Sequence, residues 1–121
     1  MIKRMDNAFF YVSDAERSLS FYRDVLGLRP TYVAPTEWIE FEVGASGRLA
    51  LNPTGGPPVP HAGGIVVFEV DNAERFAARL KEYGVHIRRD VQLITPGKLI
   101  EFEDPDGNVL QALEHVERPA I

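Results

Sequence analysis

The chain contains two internal repeats, each present once in its first half and once in its second half. Residues 12–17 (VSDAER) are matched by residues 70–75 (VDNAER) at a spacing of 58 positions, which is 70 minus 12. Residues 38–42 (WIEFE) are matched by residues 99–103 (LIEFE) at a spacing of 61 positions, which is 99 minus 38. Two matches in the same order at nearly one spacing predict that two copies of one structural module make up the chain.

Each copy begins with the pattern of a strand that leads into a helix. Residues 7–12 and 65–70 are short runs rich in apolar, aromatic and β-branched side chains, which is typical of strands. Ser13 and Asp71 follow, each with a glutamate three positions later, which is the spacing of a helix capping box. We therefore expect the two helices to be capped at these positions.

Glycines and turn residues complete each copy. Gly27 and Gly84 stand where a helix commonly ends in a left-handed residue. Three further strand candidates follow each glycine, and in the second copy residues 104–108 (DPDGN) suit a tight turn between the last two. Each copy is therefore predicted to be a βαβββ module.

The domain organisation follows from the position of a segment rich in proline and glycine. Residues 52–64 contain four prolines and four glycines, which neither a helix nor a central strand accommodates. We predict a single domain over residues 1–121, with module one at 5–52, a linker at 53–64 and module two at 65–116.

Composition excludes several classes of protein. The 121 residues include no cysteine, which rules out disulfides, thiolate nucleophiles and cysteine-ligated metal centres. Thirteen basic against eighteen acidic side chains give a net charge of −5, which disfavours a nucleic-acid partner. No apolar run approaches the ~18 residues of a membrane span, and the first residues lack a signal-peptide pattern. We therefore expect a cytoplasmic protein with no nucleic-acid or membrane partner.

Three segments resemble a known group of proteins. Residues 11–14 (YVSD), 19–28 (LSFYRDVLGL) and 102–108 (FEDPDGN) are similar to the signature of the vicinal oxygen chelate superfamily. This superfamily includes glyoxalases, bleomycin-resistance proteins, fosfomycin-resistance transferases and extradiol dioxygenases. The resemblance implies an α+β fold in which two βαβββ modules form an eight-stranded, cup-shaped sheet with the helices on its convex face. It implies no single function, because one fold hosts many.

The resemblance also implies where a metal ion would be held. Enzymes of the superfamily bind a divalent metal through His, Glu or Gln on the first and last strand of each module. The corresponding positions in this sequence are Asn7, Ala50, Ile65 and Gln111. Alanine and isoleucine carry no donor atom, and two amides are a weak donor set for a divalent cation. We therefore predict that the protein holds no metal and no cofactor.

Strand alternation predicts which side chains line the cup. If Asn7 points inward, Phe9 and Tyr11 do so as well, whereas Phe41 and Phe102 face the helices. The predicted ligand-binding residues combine aromatic rings, carboxylates, an arginine and amides: Asn7, Phe9, Tyr11, Trp38, Glu40, Arg48, Glu101 and Gln111. Aromatic rings offer flat apolar area and cation–π attraction, and carboxylates attract ammonium or guanidinium groups. Solvated strand edges and a subunit interface remain alternative roles for these side chains.

The leading functional prediction is a metal-free binding protein, similar to the bleomycin-resistance proteins. It would bind an aromatic small molecule, neutral or cationic, and the resemblance implies a homodimer. The alternative is a divalent-metal lyase, isomerase or dioxygenase with a displaced site drawn from His61, Glu69, Glu101 and Gln111. A sensor or accessory subunit with a vestigial cup is a third reading. Whether the protein is an enzyme stays open, and no catalytic residue is assigned, although Glu40 and Glu101 form a symmetric pair suited to acid–base chemistry.

Overall fold

A computed structural model divides the chain into two compact units, Met1–Pro60 and His61–Ile121. We call them module one and module two. The structure describes residues 1, 7–45, 47–57, 65–94 and 97–116. Most of the predicted linker, over 58–64, lies outside these residues, and the predicted module boundaries stay predictions. Neither helix in the described part of the chain combines the length and the apolarity that a membrane span needs.

Module one forms a four-stranded mixed sheet with one helix. Its elements are β1 (Ala8–Val12), α1 (Ala15–Ser20), β2 (Arg29–Ala34), β3 (Trp38–Val43) and β4 (Gly47–Pro53). The strand order is β1-β4-β3-β2, with β1 parallel to β4 and the other pairs antiparallel.

Module two repeats this arrangement. Its elements are β5 (Val66–Glu69), α2 (Ala73–Glu82), β6 (Ile87–Leu93), β7 (Gly97–Glu103) and β8 (Val109–His115). The strand order is β5-β8-β7-β6, again with only the first pair parallel. The predicted α+β class and the two βαβββ modules are confirmed.

Both helices begin one residue later than the capping-box spacing predicted. Asp14 has extended backbone and accepts a hydrogen bond from the Arg17 backbone N–H at 3.0 Å. Asn72 does the same for Arg75 at 2.9 Å. Asp and Asn are strong N-cap residues, so they take the role predicted for their neighbours, Ser13 and Asp71.

Gly27 and Gly84 end the two helical segments with φ of 74° and 71°, as predicted. The helix of module one reaches its glycine through a π-helical turn over Phe21–Val25, in which the Leu26 N–H donates to the Phe21 carbonyl at 3.1 Å. The two glycines are 57 positions apart (84 minus 27), whereas the helix starts are 58 apart. Module one therefore has one extra helical residue, and the wider π turn accommodates it.

The hydrophobic core of each module lies on the sheet face that packs against the helix. Phe41 and Phe102 are fully buried and occupy equivalent positions on β3 and β7. Phe41 contacts the Tyr22 ring at 5.7 Å between centroids, and Phe102 contacts the Phe76 ring at 5.8 Å. The residues that alternate with this buried set point to the opposite face of each sheet. We call it the open face.

Candidate functional site

The open face of module one carries three aromatic rings, of which Phe9 contacts the other two. The Phe9 ring lies 5.5 Å from Tyr11 and 5.3 Å from Trp38 between centroids. Phe9 and Tyr11 are each 45% exposed, and Trp38 is half-buried. We call Phe9, Tyr11 and Trp38 the aromatic cluster. It presents flat apolar surface to solvent, which is the kind of surface that stacks on planar molecules.

Strand pairing explains how rings from two separate strands meet. Strand β4 lies between β1 and β3, and its Ala50 is opposite Phe9 on one side and opposite Glu40 on the other. Because the Ala50 side chain is a single methyl group, Phe9 can reach across β4 to Trp38. Ala50 is fully buried beneath these side chains. A larger residue at position 50 would separate the rings.

Glu40 joins the aromatic cluster to polar groups. Its carboxylate Oε2 accepts a hydrogen bond from the Trp38 indole Nε1 at 2.8 Å. Its Oε1 lies 3.6 Å from a guanidinium nitrogen of Arg48. The aromatic cluster, Glu40 and Arg48 thus form one connected group on the open face of module one. All five residues are among the predicted ligand-binding residues.

An open depression of about 530 Å³ adjoins this group. Its lining combines carboxylates, an arginine and an exposed tyrosine: Thr31, Tyr32, Glu40, Glu42, Gly44, Ala45, Gly47 and Arg48. Tyr32, opposite Glu40 on β2, was not among the predicted site residues. The register of β2 shifts between Pro30 and Tyr32, so simple alternation along the strand does not give the face of this side chain.

The open face of module two has different chemistry. The Gln111 amide Nε2 donates to Glu101 Oε1 at 2.8 Å. The Arg88 Nε atom lies 3.7 Å from a carboxylate oxygen of Glu101 and 3.7 Å from one of Glu103. Glu101 and Gln111, both predicted site residues, are therefore neighbours in a polar network. None of the contacts just described involves an aromatic ring. The remaining predicted residue, Asn7, directly precedes β1 in module one.

The donor atoms do not fit the divalent metal that the superfamily resemblance implies. Ala50 and Ile65 have no donor atom, and the Gln111 amide nitrogen donates to Glu101. Within the described ranges, no group of three or more His, Cys, Asp or Glu side chains is placed to hold a metal ion. Of the residues considered for a displaced site, His61 lies outside the described residues. The other three, Glu69, Glu101 and Gln111, supply two carboxylates and one amide.

Two surface ion pairs in module two shift the pKa of a carboxyl group. Lys98 donates to Glu74 at 2.9 Å and lowers the pKa of that carboxyl below its ordinary value. Lys81 donates to Asp90 at 2.7 Å and lowers the pKa of Asp90 in the same way. Both pairs are exposed and connect α2 to the sheet, so they concern the attachment of the helix rather than the aromatic cluster.

Solved structures with the same fold include binding proteins and enzymes. An antibiotic-binding protein, TnmS3 from Streptomyces sp. CB03234, is 26% identical with a TM-score of 0.79, covering 95% of this chain and 98% of that one. The fosfomycin resistance protein FosX from Mesorhizobium loti is 23% identical with a TM-score of 0.76, covering 96% and 95%. A lactoylglutathione lyase from Agrobacterium tumefaciens is 20% identical with a TM-score of 0.74, covering 93% and 94%.

Among curated protein sequences, none matches this chain. A family model matches residues 4–112, which is most of the chain and includes both modules. The resemblance inferred from the sequence signature is thereby confirmed. With its repeated βαβββ modules and this match, the chain belongs to the Glyoxalase/Bleomycin resistance protein/Dioxygenase superfamily.

Proposed function

We propose that the protein is a metal-free small-molecule-binding protein whose ligand contains a planar aromatic ring and stacks on the aromatic cluster of module one. The observation that carries this proposal is the contact of Phe9, which is 45% exposed, with two further rings: Tyr11, also 45% exposed, and half-buried Trp38. Exposed apolar area costs free energy in water, about 25 cal/mol per Å², and a flat ligand would cover it.

The chemistry of the metal positions supports binding over metal-dependent catalysis. A lyase, isomerase or dioxygenase of this superfamily would need donors where Ala50 and Ile65 stand. Of the three solved structures described above, TnmS3 has the highest identity, 26%, and it is an antibiotic-binding protein. We extend the proposal to a cytoplasmic homodimer, as the resemblance to the bleomycin-resistance proteins implies.

The experiment that tests this proposal is calorimetric titration with naphthylmethanol, a neutral planar probe. We expect the wild-type protein to bind the probe and Trp38→Ala to weaken binding by about 100-fold, because the loss of a buried aromatic contact is worth roughly 2–3 kcal/mol. Leu99→Ala is the matched control. Leu99 holds the equivalent position on β7 of module two and is also half-buried. The control should bind the probe as the wild type does.

Chelation separates the proposal from the metal-dependent alternative. Treatment with EDTA should leave both the melting temperature and the affinity for naphthylmethanol unchanged. A fall in either, or equal affinity in wild type and Trp38→Ala, would contradict a metal-free site at the aromatic cluster.

A further inference from the structure

We infer that Glu40 selects aromatic ligands that carry a basic nitrogen next to the ring, and that Arg48 is an internal cation that such a ligand displaces. This inference rests on the proposed function and names the class of ligand. Glu40 would attract the ligand's cation, whereas the neighbouring Arg48 would compete with it.

The two oxygens of Glu40 are bound unequally. Oε2 has a full hydrogen bond from the Trp38 indole at 2.8 Å. Oε1 is 3.6 Å from the nearest Arg48 nitrogen, which is longer than a hydrogen bond. A carboxylate oxygen accepts more than one hydrogen bond, so Oε1 can take a closer donor than Arg48 now provides. An ammonium group at hydrogen-bond distance would form a shorter, charge-assisted contact.

Exposure shows which partner of this ion pair can move. The Glu40 side chain is 20% exposed, whereas the Arg48 side chain is 56% exposed. Glu40 is also held by the indole, so its position is fixed while the guanidinium can swing aside. Exposed ion pairs are weak because solvent screens them and the long side chain loses freedom in forming them.

A second carboxylate is available to Arg48 after displacement. Glu42 is directly opposite Arg48 in the pairing of β3 with β4. Its side chain is 47% exposed, and Arg29 lies 3.5 Å from it. Arg48 can therefore leave Glu40 without being left unpaired. The ligand's nitrogen would then sit between the aromatic cluster and the depression beside Glu40.

The test compares two probes of the same shape, neutral naphthylmethanol and cationic naphthylmethylamine, by calorimetric titration at low salt. We expect the wild-type protein to bind the amine about 10-fold more tightly than the alcohol. Glu40→Gln should reduce this ratio to near one, since the glutamine oxygen still accepts from the indole but carries no charge. Arg48→Met keeps much of the aliphatic stem but removes the competing cation, so it should raise the ratio several-fold.

Glu103→Gln is the matched control. Glu103 is a carboxylate on the open face of module two that faces an arginine at 3.7 Å, and this substitution should leave the ratio unchanged. The Trp38 fluorescence maximum should be the same in Glu40→Gln and wild type, which would show that the indole is still in place.

The outcomes separate this inference from the proposed function. If both probes bind equally and Trp38→Ala weakens both, the aromatic site stands and selection by Glu40 is wrong. If Arg48→Met weakens binding of the amine, Arg48 is a ligand contact and its role as a displaced cation is wrong. If the wild-type protein binds neither probe, the proposed function and this inference both fail.

Discussion

The two modules have the same buried face and different open faces. Phe41 in module one and Phe102 in module two are equivalent, fully buried and in contact with an aromatic ring of the helix. On the open face, Trp38 of module one is replaced by Leu99 in module two. The sheet–helix interface needs buried apolar side chains in both copies, whereas the open face has no such requirement. Residues that bind a ligand are therefore expected on the face where the two copies differ.

Even the shared buried face is built in two ways. In module one the helix residue that contacts the sheet phenylalanine is Tyr22, and in module two it is Phe76. At the repeat spacing of 58, Tyr22 corresponds to Leu80 and Phe76 corresponds to Ser18. Each module thus has one aromatic and one smaller residue at this pair of positions, in opposite order. The aromatic ring moves by one helical turn between the modules, and the other residue of the pair is a buried serine in module one and a buried leucine in module two.

Removing the sheet phenylalanine of each module tests whether the two buried faces are equivalent, and it has the largest expected effect on stability. Phe41→Ala and Phe102→Ala should each lower the free energy of unfolding by about 3–5 kcal/mol, because each leaves a cavity in a fully buried site. Urea unfolding followed by circular dichroism measures this loss. Tyr83→Ala removes a half-exposed ring and should cost much less. A small loss in only one of the two phenylalanine variants would show that the modules differ in core packing.

A buried aspartate distinguishes the β7–β8 turn of module two. Asp104 Oδ1 accepts from the backbone N–H groups of Asp106 at 2.9 Å and Asn108 at 2.8 Å. Asp104→Ala should lower the free energy of unfolding by about 2–3 kcal/mol, since it leaves buried donors unsatisfied. Asp104→Asn keeps one acceptor oxygen and should cost less. Thermal unfolding measures both, and an unchanged melting temperature in Asp104→Ala would show that this turn does not depend on its aspartate.

The smallest expected effect concerns the helix starts, where the modules agree. Asp14→Ala and Asn72→Ala should each lower the free energy of unfolding by about 1 kcal/mol, the usual value of an N-cap hydrogen bond. Ser13→Ala and Asp71→Ala are the controls, because these residues precede the caps. Each control should lower the free energy of unfolding by only a few tenths of the loss expected at the caps. Chemical unfolding of the four variants side by side tests this, and larger losses at Ser13 and Asp71 would restore the capping-box assignment.

Local patterns were enough to predict the repeated module and its buried face. Strand alternation assigned Phe41 and Phe102 to the core, and the two glycines marked the helix ends. These features depend on residues within a few positions of each other. The same reasoning placed the N-caps one residue early, because two adjacent polar residues at each helix start are both able to cap and only the backbone conformation chooses between them.

Sequence patterns alone therefore predict the βαβββ repeat, the buried face and the residue types on the open face. Three features become visible only in the fold: the hydrogen bond from the Trp38 indole to Glu40, the reach of Phe9 across β4 at Ala50, and the position of Tyr32 beside the depression. The physical reason is that periodicity is a local property of the chain. Contacts between side chains on different strands depend on register, and a one-residue shift such as that in β2 changes which neighbours meet.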